Sequence, residues 1–265
     1  MPGDAIIPAQ AQGELICPDE WRGEVHTVHS RAVNVLRADG LVVSLVADLD
    51  SMTAMGVCVP GLFDEPPGEA AVGRPVVRVG QQIEVDRMAR LDLAGSRTWK
   101  GTIDDTLRRQ IPAARIAEVR EVLLVHGHPE GLLGVFLQEK ATRTLVQKAR
   151  EALLDRHLEA LVGLGPGLTP AGDDFLAGAL MAFRRGPRSA SLEAALSGTT
   201  PSGRTLLWMA LRQSFPAYLI AFVNSIARAD STDAIDKAVR AACAHGETSG
   251  SDALAGFCWA HLGLD

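Results

Sequence analysis

The 265-residue chain carries 26 Lys and Arg against 32 Asp and Glu, a net charge of -6, with 47% hydrophobic, 22% charged and only 5% aromatic residues. That balance argues against a nucleic-acid partner, which needs a basic excess or stripe. It describes a folded chain, long enough for one large domain or two modest ones, whose core is mainly Leu, Val and Ala. The N-terminal stretch MPGDAIIPAQAQGELICPDEW carries acids where a signal peptide needs a basic start and an apolar run. No apolar run reaches the ~18 residues of a membrane span. Cys17, Cys58, Cys243 and Cys258 have neither Cys-x-x-Cys nor zinc spacing. The expectation is a cytoplasmic protein with reduced, mostly buried thiols and no membrane partner.

The first elements are strands. EVHTVHSRAVNVL and LVVSLVAD are β-branched runs separated by RADG, an Asp-Gly turn signal. GVCVPG and PVVRVGQQIEVD continue in the same style, and FDEPPGEAAVGR between them reads as a surface loop. Short strands joined by close turns predict an antiparallel sheet or small barrel. Ser30, Arg31 and Asn34 are polar residues within an apolar run, as alternation across a sheet face requires.

From about Arg115 the period changes to that of helices. ARIAEVREVLLVHG and the long run from Leu132 to Gly163 place charges on an outer face. Further helices are predicted over 172–185, 203–228 with a break at Pro216, 232–244 and 251–262. The fold class is therefore α+β: an N-terminal antiparallel sheet or small barrel, residues 1–110, followed by a C-terminal helical bundle, residues 111–265. LTPAGDDFLAGALMAF and TTPSGRTLLWMALRQSF echo one another, each with a Thr suited to an N-cap and a Pro suited to the first helical position.

The chemistry is sought at the helix mouths. In GLGPGLTPAGDDFLAG, a Thr-Pro start and two acids near the helix dipole would suffice to begin a helix. They leave Gly163, Gly165, Gly167 and Gly172 unexplained unless a ligand or another backbone approaches closely. A glycine loop feeding a helix N-terminus offers N–H groups to an anion. No Gly-Lys-Ser/Thr follows, so it is not a P-loop. Asp173, aligned with Leu176, Ala177 and Leu180, and Asp174, aligned with Gly178, are the candidate catalytic acids. They could hold Mg²⁺, accept from a substrate amide or orient a base; the cofactor is otherwise left open.

HGETSGSDALAGF has the same grammar. Ser251 or Asp252 suffices as its cap, which leaves Thr248, Ser249 and Gly250 to present hydroxyl and N–H groups to a phosphate or oxyanion. With Thr169 and Asp252 they complete the candidate binding set. Arg204, opening the third such helix beside Thr205, is the candidate cation for a carboxylate or phosphate, set against a plain solvated role. The seven histidines form no His-x-x-x-His or His-Glu-x-x-His pair, and HGH at 126–128 is read as a structural loop. No Gly-x-Ser-x-Gly elbow occurs.

The two motifs GLGPGLTPAGDDFLAG and HGETSGSDALAGF, with SRAVNV earlier in a β-then-α order, resemble a bacterial family that includes the AllH-type subunit of oxamate carbamoyltransferase. The resemblance runs from about Gly23 onward. It implies phosphorolysis of oxalurate to oxamate and carbamoyl phosphate, performed with two other subunit types, and it brings no assigned catalytic residues. The implied ligands suit the motif chemistry: N–H groups for phosphate, and Thr169, Ser249 and Asp173 as partners of the amide. The Ser-x-Arg-Thr phosphate motif of ordinary carbamoyltransferases is absent; SGRT at 202–205 differs from it by one place. Two alternatives stay open: a metal-dependent enzyme on a small carboxylate or phosphate, using Asp173, Asp174 and Asp252, and a non-catalytic scaffold whose glycines only permit tight helix crossings.

Overall fold

A computed structural model describes residues 6–17, 19–137, 144–182 and 189–264. It divides into two compact units, Met1–Gly101 and Thr102–Asp265.

The first unit holds β1 (Ile6–Pro8), β2 (Ala11–Gly13), β3 (Glu20–His29), β4 (Ala32–Arg37), β5 (Val42–Val46), β6 (Gly56–Cys58), β7 (Pro75–Val79), β8 (Gln82–Val85), β9 (Ala89–Asp92) and β10 (Arg97–Trp99). They form one sheet in the order β1-β9-β8-β7-β3-β4-β5-β6-β2-β10. The expected pair β4–β5 is joined through Asp39-Gly40, with Gly40 at φ +81°. Alternate residues Val33, Val35, Val43 and Leu45 are buried, whereas Asn34 bridges Thr27 and Ser44 across the strands at 2.9 and 2.8 Å. The parallel pairings were not expected. β1 with β9, β2 with β10, and β5 with β6 pair in parallel. The curl of the expected small barrel comes from strands before Gly23 that were not predicted: β1 lies at one edge and β2 beside the other, yet only Ala9 and Gln10 join them. Such a link spans at most about 11 Å, so the sheet must curl into a half-barrel. The segment 63–74 is not bare loop either, since it includes the 3-10 turn Glu69–Ala71 and buries Ala71.

The second unit holds α1 (Asp105–Arg109), α2 (Ala113–His126), α3 (Thr144–Leu154), α4 (Ala171–Ala182), α5 (Ser189–Ala195), α6 (Pro201–Leu211), α7 (Ala217–Arg228), α8 (Thr232–Cys243) and α9 (Ser249–Leu262). The helix expected over 132–163 is instead a 3-10 turn Leu132–Phe136, then α3, then a 3-10 turn Leu158–Leu161; Gly134 sits in the first and Arg156 breaks the chain at φ +56°. Residues 138–143 of that run, and 183–185 of the run expected to begin at 172, lie outside the described residues. The break at Pro216 is real, with Gln213 at φ +59° just before it. Cys58 and Cys258 are buried and Cys17 is exposed.

α4 and α9 are the axis of this unit. Residues 171–181 of one and 250–258 of the other are all buried, as befits helices made largely of small and apolar residues on every side. They lie side by side and start at the same end, because Thr169 and Asp174 meet Ser249 while Gly178 meets Ala253. A β-carbon on Gly178 would stand 1.7 Å from the Ala253 carbonyl oxygen, and one on Gly256 1.8 Å from that of Phe175. Only glycine permits backbones so close. α2, α6 and α8 pack around this pair.

Gly178→Ala and Gly256→Ala are each expected to cost about 2–4 kcal/mol, because backbone cannot yield as a side chain does. Gly68→Ala, with nothing within 4 Å of the added methyl, is the control and should change stability by less than about 0.5 kcal/mol in denaturant unfolding.

Candidate functional site

The loop before α4 shows why its glycines are needed. Gly163, Gly165 and Gly167 adopt φ of +71°, +115° and +103°, conformations that side chains disfavour. Gly172 instead admits a neighbour, the Leu161 carbonyl oxygen lying 2.0 Å from where its β-carbon would be. Backbone geometry thus accounts for all four. The amides are also in use: Gly172 N–H donates to Leu164 O at 2.8 Å and Asp173 N–H to Pro170 O at 2.8 Å. Thr200 does cap α6, accepting from Gly203 N–H at 3.0 Å behind Pro201. Thr169 takes a different part, since α4 begins only at Ala171 and its hydroxyl faces that of Ser249 at 3.2 Å.

The two candidate acids diverge, as neighbours about 100° apart on a helix must. Asp173 is wholly buried, its Oδ1 accepting from Gly163 N–H at 2.8 Å and its Oδ2 from the Thr199 hydroxyl, with Gly203 pressed against it. Burial still holds its carboxyl above the usual range against those bonds. Asp173 therefore fastens the start of α6 to the turn at Gly163. Asp174, 2% exposed, turns toward α9. Burial pushes its carboxyl well above the usual range, the Ser249 and Thr169 hydroxyls oppose this, and the nearby charge of Asp252 adds to it. Its Oδ2 has no hydrogen-bond partner.

At α9 the expected caps do other work. The helix begins at Ser249, with Thr248 in the cap position and Ser251 and Asp252 inside the first turn. Ser251 Oγ accepts from His128 N–H at 2.9 Å, and Asp252 Oδ1 from Leu132 N–H at 2.6 Å. The HGH loop is thus held through its backbone, and Gly131 is needed because a β-carbon there would lie 2.1 Å from Asp252 Oδ1. Asp252 Oδ2 lacks a partner. Burial raises this carboxyl to about 6, opposed by the Leu132 N–H, the Thr248 hydroxyl and His128. Gly250, whose added β-carbon would meet the Ala242 carbonyl at 1.9 Å, uses its amide on His245 O at 3.0 Å.

The structure therefore gathers Thr169, Asp174, Thr248, Ser249 and Asp252 at one place and draws Asp173 away from it. Arg204 donates to Leu196 O at 3.2 Å. Above the buried carboxylates the surface opens, with 166–168 exposed and Thr169, Thr248 and Ser249 half-buried. Tyr218, the sole tyrosine of the chain, was missed by sequence reasoning. Its ring stacks on His245, centroids 3.9 Å apart and planes 11° apart, and burial together with the charges of Asp174 and Asp252 holds its phenol well above the usual range. A tyrosine at the start of α7 carried no motif that could have singled it out.

Residues 161–261 match the family model described as oxamate carbamoyltransferase subunit AllH. The resemblance drawn from the two motifs holds over the segment that carries both of them. No curated protein and no solved structure matches the chain. No described helix is long and apolar enough to cross a membrane. Among the described residues no group of three or more His, Cys, Asp and Glu could hold a metal ion, and Asp173 has both oxygens engaged elsewhere, so Asp173, Asp174 and Asp252 do not assemble as a ligand set.

Asp252 sets a pH dependence. Its folded-state value near 6 lies above the unfolded 3.8, so the native state binds more protons and this contribution to stability, full below the unfolded value, is lost as pH rises to and through about 6. The loss is on the order of 3 kcal/mol. Asp252→Asn, which stays neutral and can still accept from Leu132 N–H, should flatten the fall in Tm between about pH 4 and pH 7. An unchanged slope would show that Asp252 does not titrate there.

Proposed function

We propose that the chain is a subunit of an oxamate carbamoyltransferase-like enzyme, converting oxalurate and phosphate to oxamate and carbamoyl phosphate together with other subunits. The single observation that carries this is the convergence of the α4 and α9 mouths, Thr169 to Ser249, above Asp174 and Asp252, inside the segment that matches the AllH family. The small anionic metabolite enters over Gly165, Gly167 and Leu168. Its charged end meets the hydroxyls of Thr169, Thr248 and Ser249, and its reacting end reaches Asp174 and Asp252. Gly163, Gly172 and Gly250 shape the two mouths, Asp173 positions the loop, and Arg204 lies too engaged with Leu196 to serve as more than an outer cation. Asp174, whose carboxyl burial raises well above the usual range, is placed to exchange the proton that accompanies carbamoyl transfer.

A purely structural role would explain the glycines equally well, since each admits a backbone or a positive φ. It leaves two buried carboxylate oxygens without partners, an arrangement that costs stability and is uncommon in packed interiors. The test is phosphorolysis of oxalurate by the reconstituted subunits. Asp174→Ala should lower the rate about hundredfold or more at nearly unchanged stability, whereas Asp173→Ala should lower stability by about 2–4 kcal/mol through its two lost bonds. Full activity in the Asp174 variant would remove this site from the reaction.

A further inference from the structure

α4 and α9 spell the same segment twice. Gly172-Asp173-Asp174-Phe175-Leu176-Ala177-Gly178 and Gly250-Ser251-Asp252-Ala253-Leu254-Ala255-Gly256 both read Gly-x-Asp-x-Leu-Ala-Gly. The contacts repeat with the spelling: Gly178 abuts Ala253, and Gly256 abuts Phe175, the residue equivalent to Ala253. A local two-fold axis therefore runs between the parallel helices, and Asp174 and Asp252 are equivalent across it. Both are almost wholly buried, at 2% and 0% exposure. Each leaves Oδ2 without a partner.

The polar groups around this pair decide what it can take. Gly172, Asp173, Gly250 and Asp252 give their amide hydrogens to the chain's own carbonyls. The charged or titratable neighbours acting on the two carboxylates are each other, Asp173 and His128, and the two in turn act on Tyr218. The donors that reach the two acids, the Thr169, Ser249 and Thr248 hydroxyls and the Leu132 N–H, are already spent on them, which leaves two bare acceptor oxygens, the reverse of an anion cradle. A phosphate oxygen would meet carboxylate there and be repelled. A planar –NH₂ group carries two hydrogens diverging by about 120°, one for each side of a two-fold pair of acceptors.

We propose that Asp174 and Asp252 together form a receptor for one primary amide nitrogen, the –NH₂ of a carbamoyl or ureido group donating one hydrogen to each Oδ2. The assignment rests on the carbamoyltransferase reading and deepens it: the duplicated carboxylates select the carbamoyl end of the substrate, and the anionic end lies outward at the hydroxyls.

Carbamoyl phosphate and acetyl phosphate separate the possibilities, since they differ at this end in NH₂ against CH₃. In calorimetry on the full chain, carbamoyl phosphate should bind about ten- to a hundredfold more tightly, the range for hydrogen bonds to charged groups. Asp174→Asn and Asp252→Asn should each erode that preference by a similar factor while leaving acetyl phosphate binding near the parent value. Equal binding of the two compounds, or a preference untouched by either substitution, would overturn the receptor and leave the carbamoyltransferase reading standing, the carboxylates then sharing only a proton. Binding of neither compound would overturn both.

Discussion

Two carbonyl oxygens, those of Phe175 and Ala253, lie where the β-carbons of Gly256 and Gly178 would have to be. That mutual exclusion is the constraint on which the helical unit turns. It locks α4 and α9 together in parallel, so that both N-termini emerge at one end. Parallel helices set two positive dipole ends side by side, which is unfavourable by itself and is eased by negative charge at the same place. Asp174 and Asp252 stand there, and hydroxyls from Thr169, Thr248 and Ser249 surround them. The close crossing thus both creates the site and favours acids within it.

Burial then gives those acids their character. A carboxylate on a solvated first turn would be an ordinary cap and would titrate near 4. At 0–2% exposure the charged form is disfavoured, and Asp252 moves to about 6 with Asp174 displaced in the same direction. A raised carboxyl is what burial and a like-charged neighbour produce when two acids share one space. It also suits a proton donor or acceptor in acyl-type transfer.

Much of this was legible in the sequence and some of it could not be. β-branched alternation and the Asp-Gly turn disclosed the strands from β3 to β8, because those signals are local. The parallel pairings and the closure through β1 and β2 depend on strands of three residues with no pattern of their own. The helix mouths were found from glycine and acid content, but their purpose was misassigned in part. Gly172, read as admitting a ligand or another backbone, admits the Leu161 carbonyl, and Gly250, read as offering its amide to an anion, admits the Ala242 carbonyl and gives its amide to His245. Ser251 and Asp252 read as caps of their own helix and instead hold the loop at His128 and Leu132, contacts more than a hundred residues distant in the chain. The repeated Gly-x-Asp-x-Leu-Ala-Gly was present in the sequence all along; the echo between the Thr-Pro segments of 168–183 and 199–215 does not extend to the caps, since Thr200 caps α6 while Thr169 faces Ser249.

The central claim is that paired, buried carboxylates at the head of two fused helices receive the nitrogen end of a carbamoyl compound. A crystal structure of the chain with oxalurate bound examines it most directly. The terminal nitrogen is expected within hydrogen-bond distance of both Asp174 Oδ2 and Asp252 Oδ2, with the oxalyl carboxylate pointing toward Thr169 and Ser249. Density showing the carboxylate end against the aspartates, or oxalurate bound in another part of the helical unit, would contradict the account.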